Sequence, residues 1–254
     1  MSRAPKAAQP DDRVSFLIAG VQKAGTTALF DYLGEEPGLS LSREKEVHFF
    51  DDEAQDWAAP DLTAYHARFA PFDGRPRGEA TPIYLYWPGS LARICAYNPA
   101  MKLIVVLRDP VQRAWSHWKM EYARGAETQP FAWCIREGRA RLFDAEPWGF
   151  HREYAYVERG FYGEQLEQAF GHFAREQVLL LRGEDLRRDP ATVLGAVRAF
   201  LGLPAGAAPI PRDVHVGREM DYGAELTPAD SAHLQRIYAR DQARLADLTG
   251  LSYG

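Results

Sequence analysis

The stretch FLIAGVQKAGTTALFDYL, Phe16–Leu33, decides the fold, because it predicts a buried strand, a glycine-bounded loop and a helix in direct succession. Gly20 and Gly25 bracket four residues, as in loops that hold phosphate with backbone N–H groups and a helix N-terminus. The usual phosphate loop places Lys and then Ser or Thr after its second glycine. Here two threonines follow Gly25, and Lys23 lies inside the loop. The stretch therefore predicts an anion site with a displaced lysine.

Apolar runs recur along the chain and alternate with helix-like segments. The runs predict strands at Val14–Gly20, Lys102–Arg108 and Gln177–Gly183, with a shorter strand near Gly78–Thr81. The predicted helices are 26–33, 110–123, 163–174, 190–201 and a last one that begins after Thr227-Pro228. The alternation favours an α/β fold that is P-loop-like, with an open, mostly parallel central sheet and helices on both faces. Two long irregular connections, 35–59 and 129–158, are expected to contact ligands.

Composition limits the classes of function. With 254 residues, 46% of them apolar, we expect one domain over residues 13–254 behind a disordered tail of residues 1–12. The net charge of −5 argues against nucleic acid or an anionic membrane as a partner. No apolar run approaches the roughly 18 residues of a membrane span, and no secretory signal precedes the first strand. Two cysteines without metal-site spacing predict reduced thiols and no metal. We expect a bacterial, cytoplasmic protein.

A second cation is predicted at the carboxyl end of the second long strand. The strand ends VVLRDP, so Arg108 follows it directly, and Ser116 lies two helical turns further on. Arg108 and Ser116 are expected to bind one anion from a strand end and a helix face. Asp109 offers an alternative, because a P-loop kinase needs an acidic residue for Mg²⁺ at such a strand end. A non-catalytic nucleotide-binding protein is the other alternative.

Five segments resemble one known family, in the family's order. They are GVQKAGTTAL, SREKEVHFFD, GEATPIYL, NPAMKLIVVLRDPVQRAWSHW and VLLLRGEDLRRDPATVLGAVRAFLGL. The sequence resembles the sulfotransferases that use 3′-phosphoadenosine 5′-phosphosulfate (PAPS) as co-substrate and release the 3′,5′-bisphosphate (PAP). Within that family it looks most like the carbohydrate branch, typified by the heparan sulfate N- and O-sulfotransferases.

The resemblance implies a nucleotide site. Lys23 matches the lysine that contacts the 5′-phosphosulfate and stabilises the leaving phosphate, and Arg108 and Ser116 match the pair that binds the 3′-phosphate. The other loop positions implied are Gln22, Ala24, Gly25, Thr26 and Thr27. Further implied nucleotide contacts are Tyr162, Gly217 and Arg218.

The resemblance also implies a base. An acceptor hydroxyl or amine must lose its proton as it attacks sulfur, so a base within hydrogen-bond reach is expected. Glu46 matches the family's catalytic glutamate, and His48 is the rival base. The residues alone leave open a solvated charged loop at this position.

The sequence says less about the residues that contact the acceptor. Glu79 matches an acidic position of the family, but Ala80 replaces the lysine that usually follows it. Tyr86, Trp87 and Trp148 are predicted to stack on a sugar ring or another flat acceptor. Three arginines are candidates for an anionic acceptor or for a solvated face: Arg139, Arg141 and Arg152. We therefore expect a metal-independent PAPS sulfotransferase whose acceptor is a carbohydrate or a small molecule.

Overall fold

A five-stranded parallel sheet forms the centre of the protein. The computed structural model describes residues 12–144, 146–206 and 222–253. The strands are β1 Val14–Gly20, β2 Ser40–Leu41, β3 Arg77–Ala80, β4 Lys102–Leu107 and β5 Val178–Arg182. Their order across the sheet is β2-β3-β1-β4-β5, so β1 is central.

The central strands are buried on both faces. All residues of β1 except Ser15 are buried, and Leu103–Leu107 of β4 are 0% exposed. Strands covered on both faces read as continuous apolar runs rather than as alternating patterns, which explains the sequence signal. In the ladder between β1 and β4, Ile18 lies opposite Ile104.

Nine helices surround the sheet within the described ranges. They are α1 Thr26–Gly34, α2 Leu62–His66, α3 Ser90–Tyr97, α4 Pro110–Arg124, α5 Phe131–Cys134, α6 Tyr162–His172, α7 Gly183–Arg188, α8 Pro190–Leu201 and α9 Pro228–Thr249. The three longest, α4, α8 and α9, each begin with proline after a side chain that accepts a backbone N–H. Because proline lacks the N–H that would be unpaired at this position, such starts are readable from sequence.

The sheet order fixes where a ligand binds. From β1 the chain runs through α1 to one side of the sheet, and from β4 it runs to β5 on the other side. Since crossovers between parallel strands are right-handed, this reversal places helices on opposite faces and opens a crevice between the carboxyl ends of β1 and β4. Ligands of open α/β sheets bind in such a crevice.

The predicted α/β fold is confirmed. β1 and α8 have the predicted bounds, and the other predicted strands and helices differ by one or two residues at their ends. The two-residue strand β2 was missed because it is too short to show a pattern. Residues 1–11 of the predicted tail lie outside the described residues. In the described part of the chain, no helix is long and apolar enough to cross a membrane.

Candidate active site

The unpaired N–H groups between β1 and α1 lie at the crevice end of the sheet. Gly25 precedes α1 with a φ of 110°, a left-handed conformation that favours glycine. It supplies no side-chain cap, and the N–H groups of Thr26 and Thr27 have no acceptor among the described residues. The first turn of a helix with unpaired N–H groups and the positive end of its dipole is suited to bind an anion.

Backbone contacts fix this loop against the sheet. The Val21 N–H donates to the Val106 carbonyl of β4 (2.9 Å), and the Ala24 N–H donates to the Val21 carbonyl (3.2 Å). Gly183 opens α7 so close to the loop that a Cβ there would lie 2.2 Å from the Ala24 carbonyl oxygen, so only glycine fits. The Ala24 N–H, predicted as a nucleotide contact, is thus engaged within the loop itself.

Lys23 occupies a strained position in this loop. Its φ is 73°, and within the described ranges it shares a positive φ with one other non-glycine residue, His48. Such backbone strain clusters at functional sites. Burial first, and then the positive charges of Arg124 and Arg108, lower the pKa of Lys23 to about 8. Cations that lower one another's pKa in this way are typical of a site that binds an anion.

Arg108 joins the first loop to the end of β4. Its Nη1 donates to the Lys23 carbonyl (3.1 Å), so the two predicted cationic residues meet at adjacent strand ends. Ser116 lies on α4, half-buried. Asp109, the alternative magnesium ligand, caps α4 instead, since its Oδ1 accepts the Gln112 N–H (2.7 Å).

Tyr162 supports Arg108 from behind. Its hydroxyl donates to the Arg108 carbonyl (2.9 Å), and the side chain is 0% exposed. A contact with the adenosine, as predicted, is therefore not open to its ring in this structure, and Tyr162 instead fixes the backbone of the arginine.

Arg159 is a site residue that the sequence reading missed. It is 3% exposed, and its Nη1 donates to Oε1 of Gln22, next to Lys23 (2.7 Å). Its guanidinium lies over the Tyr86 ring at 5.1 Å. Burial lowers the pKa of Arg159 to about 10. Neither spacing nor a motif marks this arginine, because its partners lie far away in sequence.

A second group of charged residues forms around Glu46. Lys45 Nζ donates to Glu46 Oε1 (3.1 Å), and His48 Nε2 lies 3.3 Å from Glu46 Oε2. The other ring nitrogen of His48 lies 2.9 Å from Oδ2 of Asp51. Arg152 donates to the same Asp51 carboxylate and to the Asp51 carbonyl. Asp51 and Arg152 thus complete a charged chain that the sequence reading did not assign.

The protonation states of these charged side chains distinguish the two candidate bases, Glu46 and His48. Hydrogen bonds to Asp51 and Glu46 raise the pKa of His48 to about 9. Burial acts to raise the pKa of Glu46, but the His48 hydrogen bond and the charge of Lys45 outweigh it, so the pKa lies below its ordinary value. At neutral pH an imidazolium therefore lies between two carboxylates, and Glu46 rather than His48 is the group that is ionised and able to take a proton.

Glu79 lies beneath this segment rather than on the acceptor side. It is 0% exposed and accepts hydrogen bonds from the hydroxyls of Tyr65 (3.1 Å), Thr81 (2.6 Å) and Tyr84 (2.9 Å). Burial raises the pKa of Glu79 to about 7, against these hydrogen bonds. The carboxylate is sealed from solvent in this structure, so the contact of Glu79 with an acceptor stays a prediction without support from its location.

The hydroxyls bound to Glu79 also hold the backbone of residues 46–51, which carry the candidate base and are called the catalytic segment. Thr81 Oγ1 accepts the N–H groups of Val47 (3.1 Å) and His48 (3.4 Å). The Tyr84 hydroxyl accepts the N–H of Phe49 (2.9 Å). Glu79 thus orients two hydroxyls that position the segment between Glu46 and Asp51.

The three aromatic residues predicted to stack on an acceptor differ in exposure. Tyr86 and Trp87 are buried, and guanidinium groups already lie over their rings, with the Arg152 Cζ 4.3 Å from the Trp87 centroid. Their stacking on an acceptor stays a prediction, and in this structure arginines occupy the ring faces. Trp148 is 63% exposed.

Two predicted nucleotide contacts, Gly217 and Arg218, lie outside the described residues. Among the residues that the structure does describe, no group of three His, Cys, Asp or Glu side chains has the arrangement of a metal site.

A helix N-terminus, a lysine-bearing loop and an arginine meet at the switch point of a parallel sheet. This arrangement is typical of α/β proteins that bind phosphate groups, and Glu46, whose charge acts on Arg159, is a candidate base.

The chain belongs to the sulfotransferase domain family, whose model matches residues 13–215. It is 35% identical over 191 residues to human heparan sulfate glucosamine 3-O-sulfotransferase 3B1. That match covers 74% of this chain and 45% of the human protein, so the chain spans about half the length of this relative.

Solved structures of the same family share the fold. A sulfotransferase from Alicyclobacillus acidocaldarius superposes with a TM-score of 0.78 at 29% identity, over 95% of this chain and 97% of that one. Mouse sulfotransferase SULT7A1, solved in complex with PAP, gives a TM-score of 0.54 at 14% identity, over 91% and 84% of the two chains. The second likeness shows the fold alone.

Proposed function

We propose that this protein transfers a sulfuryl group from PAPS to a hydroxyl or amine of a carbohydrate or glycoconjugate. Membership of the sulfotransferase domain family supports the reaction class. The 3-O-sulfotransferase named above acts, by its name, on heparan sulfate glucosamine, which supports a carbohydrate acceptor. The observation that carries the proposal is that Arg108 donates to the Lys23 carbonyl, because this contact brings the two predicted phosphate-binding residues together at the carboxyl ends of neighbouring strands.

The nucleotide is bound through both of its phosphate ends. The unpaired N–H groups of Thr26 and Thr27, with Lys23 and Gln22, hold the 5′-phosphosulfate, and Arg108 with Ser116 holds the 3′-phosphate. The buried Arg159 fixes the Gln22 side chain and adds a permanent positive charge below the loop. Two separate anion sites suit a nucleotide that is phosphorylated at both positions and leave no role for a triphosphate chain.

The transfer is an in-line displacement at sulfur. The acceptor oxygen or nitrogen forms a bond to sulfur while the bond between sulfur and the bridging phosphate oxygen breaks. Glu46 takes the acceptor proton, and protonated His48, held by Asp51, fixes the orientation of the Glu46 carboxylate. Lys23 stabilises the charge that develops on the leaving bisphosphate.

The experiment that tests this proposal is transfer of label from ³⁵S-PAPS to a panel of carbohydrate acceptors, with PAP measured as the second product. Equal amounts of labelled product and PAP, unaffected by EDTA, are expected. Phosphoryl transfer from Mg²⁺–ATP, without any turnover of PAPS, would contradict it.

The pH dependence of kcat/KM for PAPS is expected to fall above about pH 8. Lys23 must be protonated to act, and the pKa of Lys23 lies at about 8 in the free enzyme. Activity is thus present below that pH and is lost as the pH rises through it. In Lys23→Arg the cation persists, so the fall moves toward about pH 9, where His48 loses its proton. The measurement is a pair of pH profiles, one for each protein. A fall at the same pH in both would contradict the assignment of the fall to deprotonation of Lys23.

Thr81→Val is expected to loosen the catalytic segment without weakening the nucleotide site. The change removes the hydroxyl that links Glu79 to the N–H groups of Val47 and His48. We expect kcat to fall about tenfold and the free energy of unfolding to drop by about 1–3 kcal/mol, as for a lost buried hydrogen bond. PAP affinity stays within about twofold, since no loop contact changes.

Two control variants separate an effect on the position of the catalytic segment from an effect on the free energy of unfolding alone. Thr81→Ser keeps the hydroxyl and is expected to restore kcat, whereas Thr63→Val changes an exposed threonine on α2 and is expected to change neither quantity. A Thr81→Val protein with normal kcat at a temperature where it is folded would exclude the positioning role.

A further inference from the structure

Arg159 connects the loop between β1 and α1, called the phosphate loop, with the loop that precedes α6. Its Nη1 donates to Oε1 of Gln22 (2.7 Å), next to Lys23, and its Nη2 donates to the carbonyl of Arg152 (2.6 Å). Arg152 in turn donates through its own guanidinium to the carboxylate and the carbonyl of Asp51. The two arginines, called the arginine bridge below, therefore join Gln22 to Asp51.

The far end of the arginine bridge is the candidate base. Oδ2 of Asp51 lies 2.9 Å from Nδ1 of His48, and Nε2 of the same imidazole lies 3.3 Å from Oε2 of Glu46. The charge of Glu46 is also among those that act on Arg159. An unbroken series of contacts thus runs from the residue beside Lys23 to the carboxylate that is proposed to take the acceptor proton.

Two consecutive aromatic rings, both buried, hold the bridge in shape. The guanidinium of Arg159 lies 5.1 Å from the centroid of the Tyr86 ring, and that of Arg152 lies 4.3 Å from the centroid of Trp87. The Tyr86 hydroxyl also accepts the N–H of His151 (3.3 Å). A guanidinium held by a ring face and by hydrogen bonds has few orientations open to it. The bridge is therefore stiff enough to fix the position of one end relative to the other.

Arg159 is an unfavourable residue to bury for packing alone. It is 3% exposed, and its acceptors in the described structure are the amide oxygen of Gln22 and the carbonyls of His151 and Arg152. None of these acceptors carries a charge. A cation buried without a counter-charge lowers the stability of a fold, and an apolar side chain of similar volume avoids that cost. The arrangement therefore indicates a task in the site.

In-line transfer needs a fixed geometry between the two elements that the bridge joins. The phosphate loop holds the sulfur donor, and the catalytic segment carries the base. A misplacement of about 1 Å in such a site lowers a rate by about a hundredfold. We propose that Arg159 and Arg152 are positioning residues that set Glu46 relative to the phosphosulfate. The inference rests on the proposed sulfuryl transfer and adds to it the residues that align its two halves.

The first test cuts the bridge at its two ends, in side chains that are not fully buried. Gln22→Ala removes the acceptor on the phosphate loop, and Arg152→Ala removes the donor to Asp51. The measurement is kcat at saturating ³⁵S-PAPS, with the carbohydrate of the panel above that accepts label fastest. We expect each variant to lose at least about tenfold.

The double variant decides whether the two ends act as one unit. Since either cut already breaks the bridge, Gln22→Ala with Arg152→Ala is expected to lie within about twofold of the less active single variant. Independent roles would instead multiply the two losses, to about a hundredfold or more. Multiplied losses would overturn the inference.

Arg159→Lys cuts the bridge in the middle and keeps the charge, because lysine lacks the planar fork that reaches two acceptors. We expect kcat to fall at least about tenfold, with no further fall when Gln22→Ala is added. The matched control is Arg175→Lys, which is expected to leave kcat unchanged. Arg175 also donates to a carbonyl, that of Val178 (2.8 Å), and lies over a ring, but at the end of β5 away from the crevice. Normal kcat in Arg159→Lys would show that charge alone matters and would overturn the inference.

A spectroscopic readout that needs no turnover separates this inference from the proposed function. The ¹⁵N resonances of the His48 imidazole, assigned with His48→Gln, report on the far end of the bridge. Gln22→Ala and Arg159→Lys are expected to move these resonances, and Arg175→Lys is expected to leave them in place. Unmoved resonances in the first two variants would overturn the bridge. Absence of PAPS turnover by the wild-type protein, with the resonances moving as expected, would contradict the proposed function and leave the bridge in place.

Discussion

Lys23→Ala is expected to lower kcat/KM for PAPS by about a hundredfold to a thousandfold, the usual effect of removing one group aimed at developing charge. Lys23 lies on a strained backbone in a loop that is pinned to β4 and α7, so the backbone that carries its ammonium is fixed before the nucleotide arrives. The leaving bisphosphate gains negative charge only as the bond to sulfur breaks. For this reason kcat should fall more than PAP affinity does.

The control for this variant is Lys119→Ala. Lys119 is a cation on α4 that acts on Lys23 through its charge, but it makes no contact with the loop in the described structure. A decrease below about tenfold is expected for it, because it changes only the surrounding field. Equal losses in the two variants, or turnover that survives in Lys23→Ala, would show that the loop lysine does not stabilise the leaving group.

Glu46→Gln is expected to lower kcat by about a hundredfold to ten-thousandfold, the usual contribution of a general base. The substitution keeps the shape of the side chain but removes the group that takes the acceptor proton. PAP affinity is expected to stay near normal, because Glu46 bonds to Lys45 and His48 rather than to the phosphate loop. Steady-state transfer and calorimetric PAP binding, measured together, separate the two effects.

Glu44→Gln is the matched control for the base. Glu44 lies two residues earlier in the same segment, with an exposed side chain that pairs with Arg68. Removal of this charge is expected to leave transfer unchanged. If His48 were the base, His48→Ala would abolish transfer while Glu46→Gln kept most of it. The raised pKa of His48, about 9, predicts the opposite order of effects.

The proximity of Lys23 and Arg108 was predictable because the fold brings them together. Parallel strands align their carboxyl ends, so a lysine after β1 and an arginine after β4 must be close once both segments are recognised as neighbouring strands. The structure adds the direct contact between Arg108 and the Lys23 carbonyl. The charged cluster of Lys45, Glu46 and His48 was predictable as well, because these residues are nearly consecutive in the chain, and their catalytic role stays a prediction.

The supporting residues were not predictable, because their partners are remote in sequence. Asp51 and Arg152 are 101 positions apart, and Gln22 and Arg159 are 137 apart. The surroundings of Glu79 could not be read from the sequence either, since only the packed structure shows that three hydroxyls bond to it. The same holds for Tyr86 and Trp87, whose rings are covered by arginines that no local pattern places there.

The most direct test of the central claim is the affinity of the protein for PAP compared with that for 5′-AMP, which lacks the 3′-phosphate. The account predicts that PAP binds at least about thirtyfold more tightly without added metal, because AMP offers no 3′-phosphate to the half-buried guanidinium of Arg108. In Arg108→Ala this preference is expected to disappear while AMP affinity changes little. Equal affinities of the wild-type protein for PAP and AMP, or tighter binding of Mg²⁺–ATP than of PAP, would contradict the account.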